Sequence, residues 1–340
     1  MEINFEISKL DGFIKKSKNI VLIGHFNPDG DSIGSIVGFY HYLESIEIKS
    51  SLVIPSRYPS SLEFLNPKNE NILVYEDDRD RVEYLISVSD LIICLDFNKI
   101  SRTEFLEKFI SESNASKVLI DHHPSPQIDF FDIVISTTEI SSTCELLFWI
   151  LMEMPEVSND VEKLSLSCVQ ALYVGMLTDT NNFSNSVFPS TFDMSSKIIN
   201  RGVNNDLIQG LVFNVYSEKR MRLMGHMLDS RMNLLPELGA AFLLLSKDDK
   251  KKYDFSPGDS EGFVNLPLSI KGVVISALFS ETEDYVRVSL RSKGDYDVND
   301  LSNKYFNGGG HKNASGGRLY IPFSEIPEYF EKSLKEYLKK

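Results

Sequence analysis

Five short apolar runs within the first 135 residues constrain the fold of this 340-residue chain more than any other feature. Apolar residues at helical spacing lie between several of these runs, as in Ser32–Glu44, for which Asp31 is a suitable N-cap. The runs are Ile20–Gly24, Ser51–Ile54, Leu91–Asp96, Lys117–Asp121 and Asp132–Ile135. Because strands that alternate with helices form parallel sheets covered on both faces, the first half is predicted to be a mostly parallel-sheet domain.

The pattern becomes helical after the run that begins at Asp132 and returns to strands near Gly239. The predicted helices are Ser142–Met154, Asp160–Leu177, Thr191–Arg201, Asn205–Phe213 and Ser217–Met232. The runs AAFLLLS, GVVISALFS and YVRVSLRS then predict strands, and Phe323–Leu338 predicts a final amphipathic helix. The predicted architecture is α/β, with a larger domain at residues 1–190, a helical linker at 191–235 and a smaller α/β domain at 236–340.

The acidic composition restricts the partners of the chain. Its 35 basic and 49 acidic residues give a net charge of −14, which argues against electrostatic gripping of long duplex nucleic acid but leaves room for a local phosphate site. The three cysteines have no paired spacing and are predicted to be buried apolar residues. No signal-peptide pattern is present, and the strongest apolar stretch is too short to cross a bilayer. The sequence therefore predicts a cytoplasmic protein without a membrane partner.

Acidic residues and histidines follow three of the apolar runs directly, and a further acid ends a helical stretch. Taken singly, each has an ordinary interpretation as a turn, a helix cap or a surface residue. Because the carboxyl ends of parallel strands meet at one edge of a sheet, the first three groups are expected to lie close together. The residues are His25, Asp29 and Asp31, then Asp96, then Asp121, His122 and His123, and finally Asp179.

This combination of side chains predicts a metal centre. Carboxylates that are packed together repel each other, and a divalent cation relieves that repulsion. Oxygen and imidazole ligands without cysteine favour Mn²⁺, the first choice, or Mg²⁺ over structural Zn²⁺. Six or more ligands exceed the need of one ion, so two ions bridged by one or two carboxylates are predicted. Such a pair activates water for in-line attack at phosphorus.

A second group of residues predicts phosphate binding in the smaller domain. Glycines 308–310 allow close approach of the backbone to a ligand, and their amides suit phosphate oxygens, although a hairpin turn also explains them. Arg287, Ser289 and Arg291 alternate on one strand face, where an arginine fork suits phosphate and a solvated face is the alternative for Arg287. The predicted substrate-binding residues are Arg102, Arg291, Ser292, Gly308, Gly309, Gly310, His311 and Ser315.

The motifs GHFNPDGDSIGS, the strand-end Asp96, Asp121-His122-His123 and the TDT loop resemble those of the DHH phosphoesterase superfamily. The segment GGGHKNASGG resembles the signature of its companion domain, DHHA1. The resemblance spans nearly the whole chain and is strongest to the bacterial nano-RNases, which are bifunctional oligoribonucleases and 3′-phosphoadenosine-5′-phosphate phosphatases. Related chains are described as exopolyphosphatase-like.

The resemblance implies a role for each motif residue. One ion would be held by His25, Asp29 and Asp96, and the other by Asp31, Asp96, His122 and Asp179. Asp96, alone or together with Asp179, would bridge the ions, His123 would face the scissile phosphate, and Asp121 would support the imidazoles. The chain differs modestly from the family motifs at two places. Asp96-Phe97-Asn98 stands where the family often has Asp-Thr-Gly, and Arg102 still follows. Asn181 stands where a glycine is common, and asparagine tolerates the positive φ of such a turn.

The predicted function is therefore that of a di-metal phosphohydrolase. Its substrate would be a short oligoribonucleotide or 3′-phosphoadenosine-5′-phosphate, attacked at phosphorus by a metal-activated hydroxide. An exopolyphosphatase or a cyclic-dinucleotide phosphodiesterase of the same superfamily is an alternative. A metal-dependent nucleotide sensor that binds without turnover is an alternative of another class. The sequence leaves the oligomeric state open, with a homodimer as one option.

Overall fold

The computed structural model describes residues 3–67, 72–214, 216–256 and 258–339, with side chains from residue 6 onward. The chain divides into two compact units, Met1–Val215 and Tyr216–Lys340, and each contains a six-stranded sheet. This confirms the α/β class, with a larger amino-terminal and a smaller carboxyl-terminal part. The three-part division stays a prediction, and the helices between residues 191 and 235 are shared between the two units.

The sheet of the first unit is parallel throughout, with the strand order β3-β2-β1-β4-β5-β6. Its strands are β1 (Ile20–Ile23), β2 (Ser50–Ile54), β3 (Leu73–Val74), β4 (Leu91–Leu95), β5 (Ser116–Asp121) and β6 (Ile133–Ser136). All five apolar runs are strands, as predicted. Strand β3 was not predicted because two residues are too few to show a period.

Helices cover both faces of this sheet. The helices of this unit are α1 (Ile3–Lys16), α2 (Gly30–Ser45), α3 (Arg79–Val88), α4 (Glu107–Glu112), α5 (Thr143–Glu153), α6 (Leu166–Asp179), α7 (Pro189–Asn200) and α8 (Asn205–Val212). Two sequence-based boundaries were wrong. Asp29 rather than Asp31 caps α2, because its side chain accepts the N–H groups of Asp31 and Ser32. The helix predicted from Asp160 begins at Leu166, because Asp160 caps a separate 3-10 turn.

Helices α2 and α6 cross at glycines, so their backbones lie unusually close. A Cβ atom at Gly34 would lie 2.6 Å from the carbonyl oxygen of Ala171, and one at Gly175 would lie 3.1 Å from the Cα atom of Asp31. Asp31 in the first turn of α2 and Asp179 at the end of α6 therefore lie at the same end of the helix pair.

The sheet of the second unit is mixed, with the strand order β11-β12-β10-β9-β8-β7, and its β8–β9 pair is parallel. The strands are β7 (Met232–Leu235), β8 (Ala240–Leu245), β9 (Ile275–Glu281), β10 (Val286–Ser292), β11 (Gly309–His311) and β12 (Ala314–Leu319). The helices are α9 (Glu218–Ser230), α10 (Lys247–Lys252), α11 (Val298–Tyr305) and α12 (Ile326–Leu338). The helix predicted to continue to Met232 ends at Ser230, where β7 follows almost at once.

The two faces of this second sheet are covered differently. On one face, Leu301 of α11 and Phe330 of α12 belong to a core with inward residues of β9, β10 and β12. On the other face, Leu223 of α9 and Phe263 of a 3-10 turn pack on β8 and β9.

No helix within the described ranges is long and apolar enough to cross a membrane. The three cysteines, Cys94, Cys144 and Cys168, are buried and carry free thiols, as the sequence predicted.

Candidate metal centre

Three adjacent strands carry the candidate ligands to one edge of the parallel sheet. His25 follows β1 by two residues, Asp96 follows β4 directly, and Asp121 is the last residue of β5. The strand register pairs Ile23 with Cys94 and Leu95 with Ile120, so the carboxyl ends of these strands are level. The candidate residues of the first unit therefore meet at this edge, as expected for a ligand site on a parallel sheet.

The side chains form two groups that share Asp96. In the first, the Nε2 atom of His25 lies 3.5 Å from Oδ2 of Asp96 and 3.8 Å from Oδ1 of Asp29. In the second, the Nε2 atom of His122 lies 3.7 Å from Oδ1 of Asp96, 3.9 Å from Oδ2 of Asp31 and 3.6 Å from Oδ2 of Asp179. Each oxygen of Asp96 therefore faces a different imidazole, which is the arrangement of a bridging carboxylate.

The histidine tautomer shows that these groups fit cations. The Nδ1 atom of His25 lies 2.9 Å from the carbonyl oxygen of Phe26, and because a carbonyl only accepts, Nδ1 donates its proton there. Nε2 of His25 then points a lone pair at two carboxylates. Separations of 3.5–3.8 Å are longer than hydrogen bonds but suit two ligands of one ion. The residues fit two divalent cations.

The electrostatics of these candidate ligands also favour the binding of a cation. Burial, and then the charges of Asp31, Asp29, Asp179 and Asp121, raise the pKa of Asp96 well above its ordinary value. Burial followed by the charges of Asp31 and Asp29 likewise raises the pKa of Asp179. Within the described part of the chain, no lysine or arginine pairs with these carboxylates. A bound cation would supply the missing charge.

Burial also acts on the imidazole of His122, whose pKa it lowers below the ordinary value. The neutral imidazole is the form that binds a metal. The protein therefore favours the ligand form of this side chain.

His123 is held by the last residue of β5. Oδ1 of Asp121 lies 2.7 Å from Nδ1 of His123, and the other oxygen accepts the backbone N–H of His123 at 3.0 Å. Asp121 is fully buried, so these two contacts fix the orientation of the imidazole ring. The arrangement suits the supporting part that the resemblance implied for Asp121.

The first turn of α5 positions two of the candidate ligands, a feature that sequence reasoning missed. The backbone N–H groups of Thr143 and Cys144 donate to the two oxygens of Asp31, at 2.7 and 2.8 Å. The hydroxyl of Thr143 donates to Oδ1 of Asp96 at 3.0 Å. The Ser141-Ser142 pair before an apolar helical run is a visible helix-start signal, but it does not reveal which acids the helix end would meet.

A buried carboxylate anchors this first turn. Glu145 is fully buried and accepts the Ser141 N–H at 3.1 Å and the Thr191 hydroxyl at 2.7 Å. These bonds tie the start of α5 to helix α7. The orientation of Asp31 and Asp96 therefore depends on a network that extends beyond the ligands themselves.

Thr143→Val tests this positioning. The variant keeps the side-chain volume but removes the hydroxyl that contacts Asp96, so we expect the affinity for Mn²⁺ to fall about 10- to 100-fold. Thr143→Ser retains the hydroxyl and should keep most of the wild-type affinity for Mn²⁺. Titration calorimetry with Mn²⁺ measures both variants. An unchanged affinity in Thr143→Val would contradict a positioning part for this residue.

The predicted substrate-binding residues differ from one another in exposure and in position. The carbonyl oxygen of Arg102 accepts the N–H of Phe26 at 2.8 Å, which places its backbone beside the metal cluster while its side chain is exposed. His311 is an exposed residue of β11, and Arg291 lies on β10 two positions from Ser289 on the same face. Their contacts with substrate stay predictions.

Several groups of the glycine-rich segment are already engaged within a β-hairpin. The N–H of Gly310 donates to Oδ1 of Asn299 at 2.8 Å, and a Cβ atom at Gly308 would collide with Gly316. The hydroxyls of Ser292 and Ser315 donate to backbone carbonyls, both at 2.6 Å. Gly308, Gly310 and Ser315 lie in the hairpin that presents His311, whereas Ser292 is the last residue of β10. The direct contact of these residues with substrate stays a prediction.

Comparison with known proteins assigns the family. Residues 19–176 match the DHH family, N-terminal domain, and residues 239–340 match the DHHA1 domain. An exopolyphosphatase-related protein from Bacteroides fragilis, whose crystal structure is known, is 37% identical, with a TM-score of 0.93 over 98% of this chain and 96% of that one. This chain belongs to the DHH phosphoesterase family. The resemblance seen in its motifs is confirmed.

Two further relatives of this DHH phosphoesterase have specific names. The bifunctional oligoribonuclease and PAP phosphatase NrnA of Bacillus subtilis is 28% identical over 304 residues, covering 88% of this chain and 89% of the relative. The cyclic-di-AMP phosphodiesterase GdpP of the same organism is 26% identical over 97% of this chain, but over 49% of its own length. Both names are those of phosphoesterases.

Proposed function

We propose that this DHH phosphoesterase hydrolyses short oligoribonucleotides and 3′-phosphoadenosine-5′-phosphate, with two divalent cations of which Mn²⁺ is the first choice. The observation that carries the proposal is the position of Asp96, whose two oxygens each face a separate imidazole. A pair of adjacent cation sites is the arrangement that suits in-line displacement at phosphorus. The similarity to NrnA over most of both chains supports the choice of substrate.

The residues of the first unit have distinct parts in this proposal. When bound, the two cations activate a water molecule and neutralise charge on the phosphoryl oxygens. His25, Asp29 and Asp96 hold one cation, and Asp31, Asp96, His122 and Asp179 hold the other. His123 donates a proton or a hydrogen bond to the phosphate, and Asp121 keeps its ring oriented.

Residues of the DHHA1 domain bind the substrate. Arg291 offers a planar fork that matches a phosphate, and His311 adds a donor on the neighbouring hairpin. With a net charge of −14, strong phosphate binding must be local. Activity is therefore expected to be highest on RNA of about two to five nucleotides, with a log–log salt slope of about −1.4 for two phosphate contacts and about −2 for three, at about 0.7 each.

A substrate panel with Mn²⁺ tests the proposal. The panel comprises diadenylate, RNA up to about 24 nucleotides, single-stranded DNA, 3′-phosphoadenosine-5′-phosphate, cyclic di-AMP and polyphosphate, each at two salt concentrations. We expect turnover of the dinucleotide and of 3′-phosphoadenosine-5′-phosphate, abolished by chelation. Faster turnover of cyclic di-AMP or polyphosphate would favour the activities named for GdpP or for the exopolyphosphatase-related protein. Binding without any turnover would favour the nucleotide sensor.

His311→Ala tests the division of labour between the two domains. Loss of a hydrogen bond to a charged group predicts a fall in kcat/KM of about 10- to 100-fold on dinucleotides. The Mn²⁺ stoichiometry should remain that of the wild type, because the candidate ligands all lie in the first unit. Metal analysis of the purified variant checks this, and a lower metal content would contradict the division.

A further inference from the structure

An exposed cluster of two arginines and two tyrosines occupies one face of the DHHA1 sheet. Arg287 and Arg318 are direct partners in the antiparallel β10–β12 pair, and both side chains are exposed. The guanidinium of Arg318 lies 5.1 Å from the ring centroid of Tyr285, and the rings of Tyr285 and Tyr320 are 6.2 Å apart. Tyr320 is 68% exposed. We call these four residues the arginine–tyrosine cluster.

The arginine pair is unfavourable for the sheet itself. Like charges directly opposite each other on neighbouring strands destabilise the pairing. Within the described residues, neither Arg287 nor Arg318 forms an ion pair with an acid. The two repelling charges therefore contribute nothing favourable to the pairing of β10 and β12, and a bound anion would relieve their repulsion.

The surroundings of the cluster carry charges of both signs. The pKa of Lys250 is lowered, first by burial and then, against the opposing charge of Glu281, by the charges of Arg287 and Lys247. The nearby Glu283 is engaged with Lys247 at 2.8 Å. An anion that approached Arg287 would therefore meet Lys247 and Lys250 together with Glu281, Glu283 and Asp284, so its binding must depend on Arg287 and Arg318 themselves.

The cluster lies on the same face as a predicted substrate residue. Side chains alternate along a strand, so Arg287, Ser289 and Arg291 of β10 share one face, and the inward Val288 and Leu290 belong to the core on the other. Arg291 is four positions from Arg287, which is about 14 Å along the strand. This distance exceeds the spacing of neighbouring phosphates and suits a phosphate two nucleotides away.

We propose that the arginine–tyrosine cluster binds a distal phosphate and base of a single-stranded oligonucleotide whose terminal phosphate lies at Arg291. Arginine forks match the phosphate, and the exposed ring of Tyr320, beside the half-buried ring of Tyr285, can stack on any base. The tyrosines favour a nucleic acid over polyphosphate, which has no base to stack. This inference rests on the proposed function, and it predicts that the enzyme prefers three or four nucleotides to two.

Equilibrium binding in EDTA, which prevents hydrolysis, tests the proposal without any contribution from the metal centre. Fluorescence anisotropy of labelled tetra-adenylate and diadenylate gives the two dissociation constants. For Arg287→Ala/Arg318→Ala, we expect the tetranucleotide to bind about 10- to 50-fold more weakly, while the dinucleotide changes less than about twofold. The salt slope for the tetranucleotide should decrease by about 0.7 for one lost phosphate contact. Lys332→Ala, an exposed cation on α12 at the opposite face of the sheet, is the matched control.

Arg287→Glu distinguishes a role of Arg287 in oligonucleotide binding from a role in stability. The new carboxylate would face Arg318 directly, so the repulsion becomes an attraction and Tm should equal or exceed that of the wild type. Binding of the tetranucleotide should nevertheless be as weak as in the double variant. A lower Tm with unchanged binding overturns the proposal, as does an equal loss for both oligonucleotides. The proposal is also overturned if the cluster variants weaken only the binding of polyphosphate, measured in parallel.

The outcomes of this test and of the substrate panel are distinguishable. If the wild type hydrolyses diadenylate and the cluster variants bind tetra-adenylate normally, the inference fails and the proposed function stands. If the wild type hydrolyses none of the oligonucleotides but binds tetra-adenylate through the cluster, the proposed function fails and the binding surface stands.

Discussion

Asp96→Asn should lower kcat/KM on a dinucleotide by at least about 1,000-fold, because Asp96 is the carboxylate that both proposed cation sites share. Asparagine suits the test because residue 96 has a φ of 67°, a conformation that asparagine tolerates. The amide oxygen can still accept the Thr143 hydroxyl. Activity assays with Mn²⁺, together with metal analysis, measure the effect.

The same variant should make the metal-free protein more stable. It removes one negative charge from a group of carboxylates that has no lysine or arginine partner among the described residues. We therefore expect a higher Tm in EDTA and a smaller rise in Tm on addition of Mn²⁺. Asp193→Asn, which changes an exposed acid on α7, should do neither. Near wild-type turnover in Asp96→Asn would contradict the bridging assignment.

Gly175→Ala should damage stability and activity together. Its Cβ atom would lie 2.2 Å from Sγ of Cys144 and 3.1 Å from Oδ1 of Asp31, so α2, α5 and α6 must separate. Overpacking of this kind costs about 1–3 kcal/mol of the free energy of unfolding. Displacement of Asp31 should lower kcat/KM by about 100-fold or more. Denaturant titration and steady-state kinetics measure the two effects.

Two variants serve as controls for this substitution. Among the described residues, a Cβ atom at Gly210 of α8 would meet no neighbouring group within 4 Å. Gly210→Ala should therefore leave activity unchanged and stabilise the helix by up to about 1 kcal/mol. In Gly175→Ala/Cys144→Ala the nearest clash is removed, and part of the activity should return. If Gly175→Ala behaves like Gly210→Ala, the spacing of α2 and α6 does not control the metal centre.

Local patterns in the sequence were sufficient to predict the five longer strands of the parallel sheet in the first domain. Every apolar run became a strand, since a buried parallel strand needs a continuous apolar segment that a short window reveals. The strand-end acids were visible for the same reason. The structure brings His25, Asp96 and His122 together because parallel strands place their carboxyl ends at one edge of the sheet.

Some features were outside the reach of local patterns. Strands β3 and β11 have two and three residues, which is too short for a period to appear. Helix α6 begins later than its apolar pattern indicates because a capped turn precedes it. The N-cap of α2 is Asp29 rather than Asp31, and two acids separated by one residue in a loop cannot be distinguished by spacing alone.

The sequence by itself determined which apolar runs form strands, which acids end them and which family motifs the chain carries. Only the tertiary structure decided which groups meet. The backbone of Thr143 holds Asp31 from more than one hundred residues away in the chain. Arg287 faces Arg318 because of the register of β10 and β12, and a shift by one residue would turn either side chain into the core. Contacts of this kind depend on packing and register, which no local window of sequence contains.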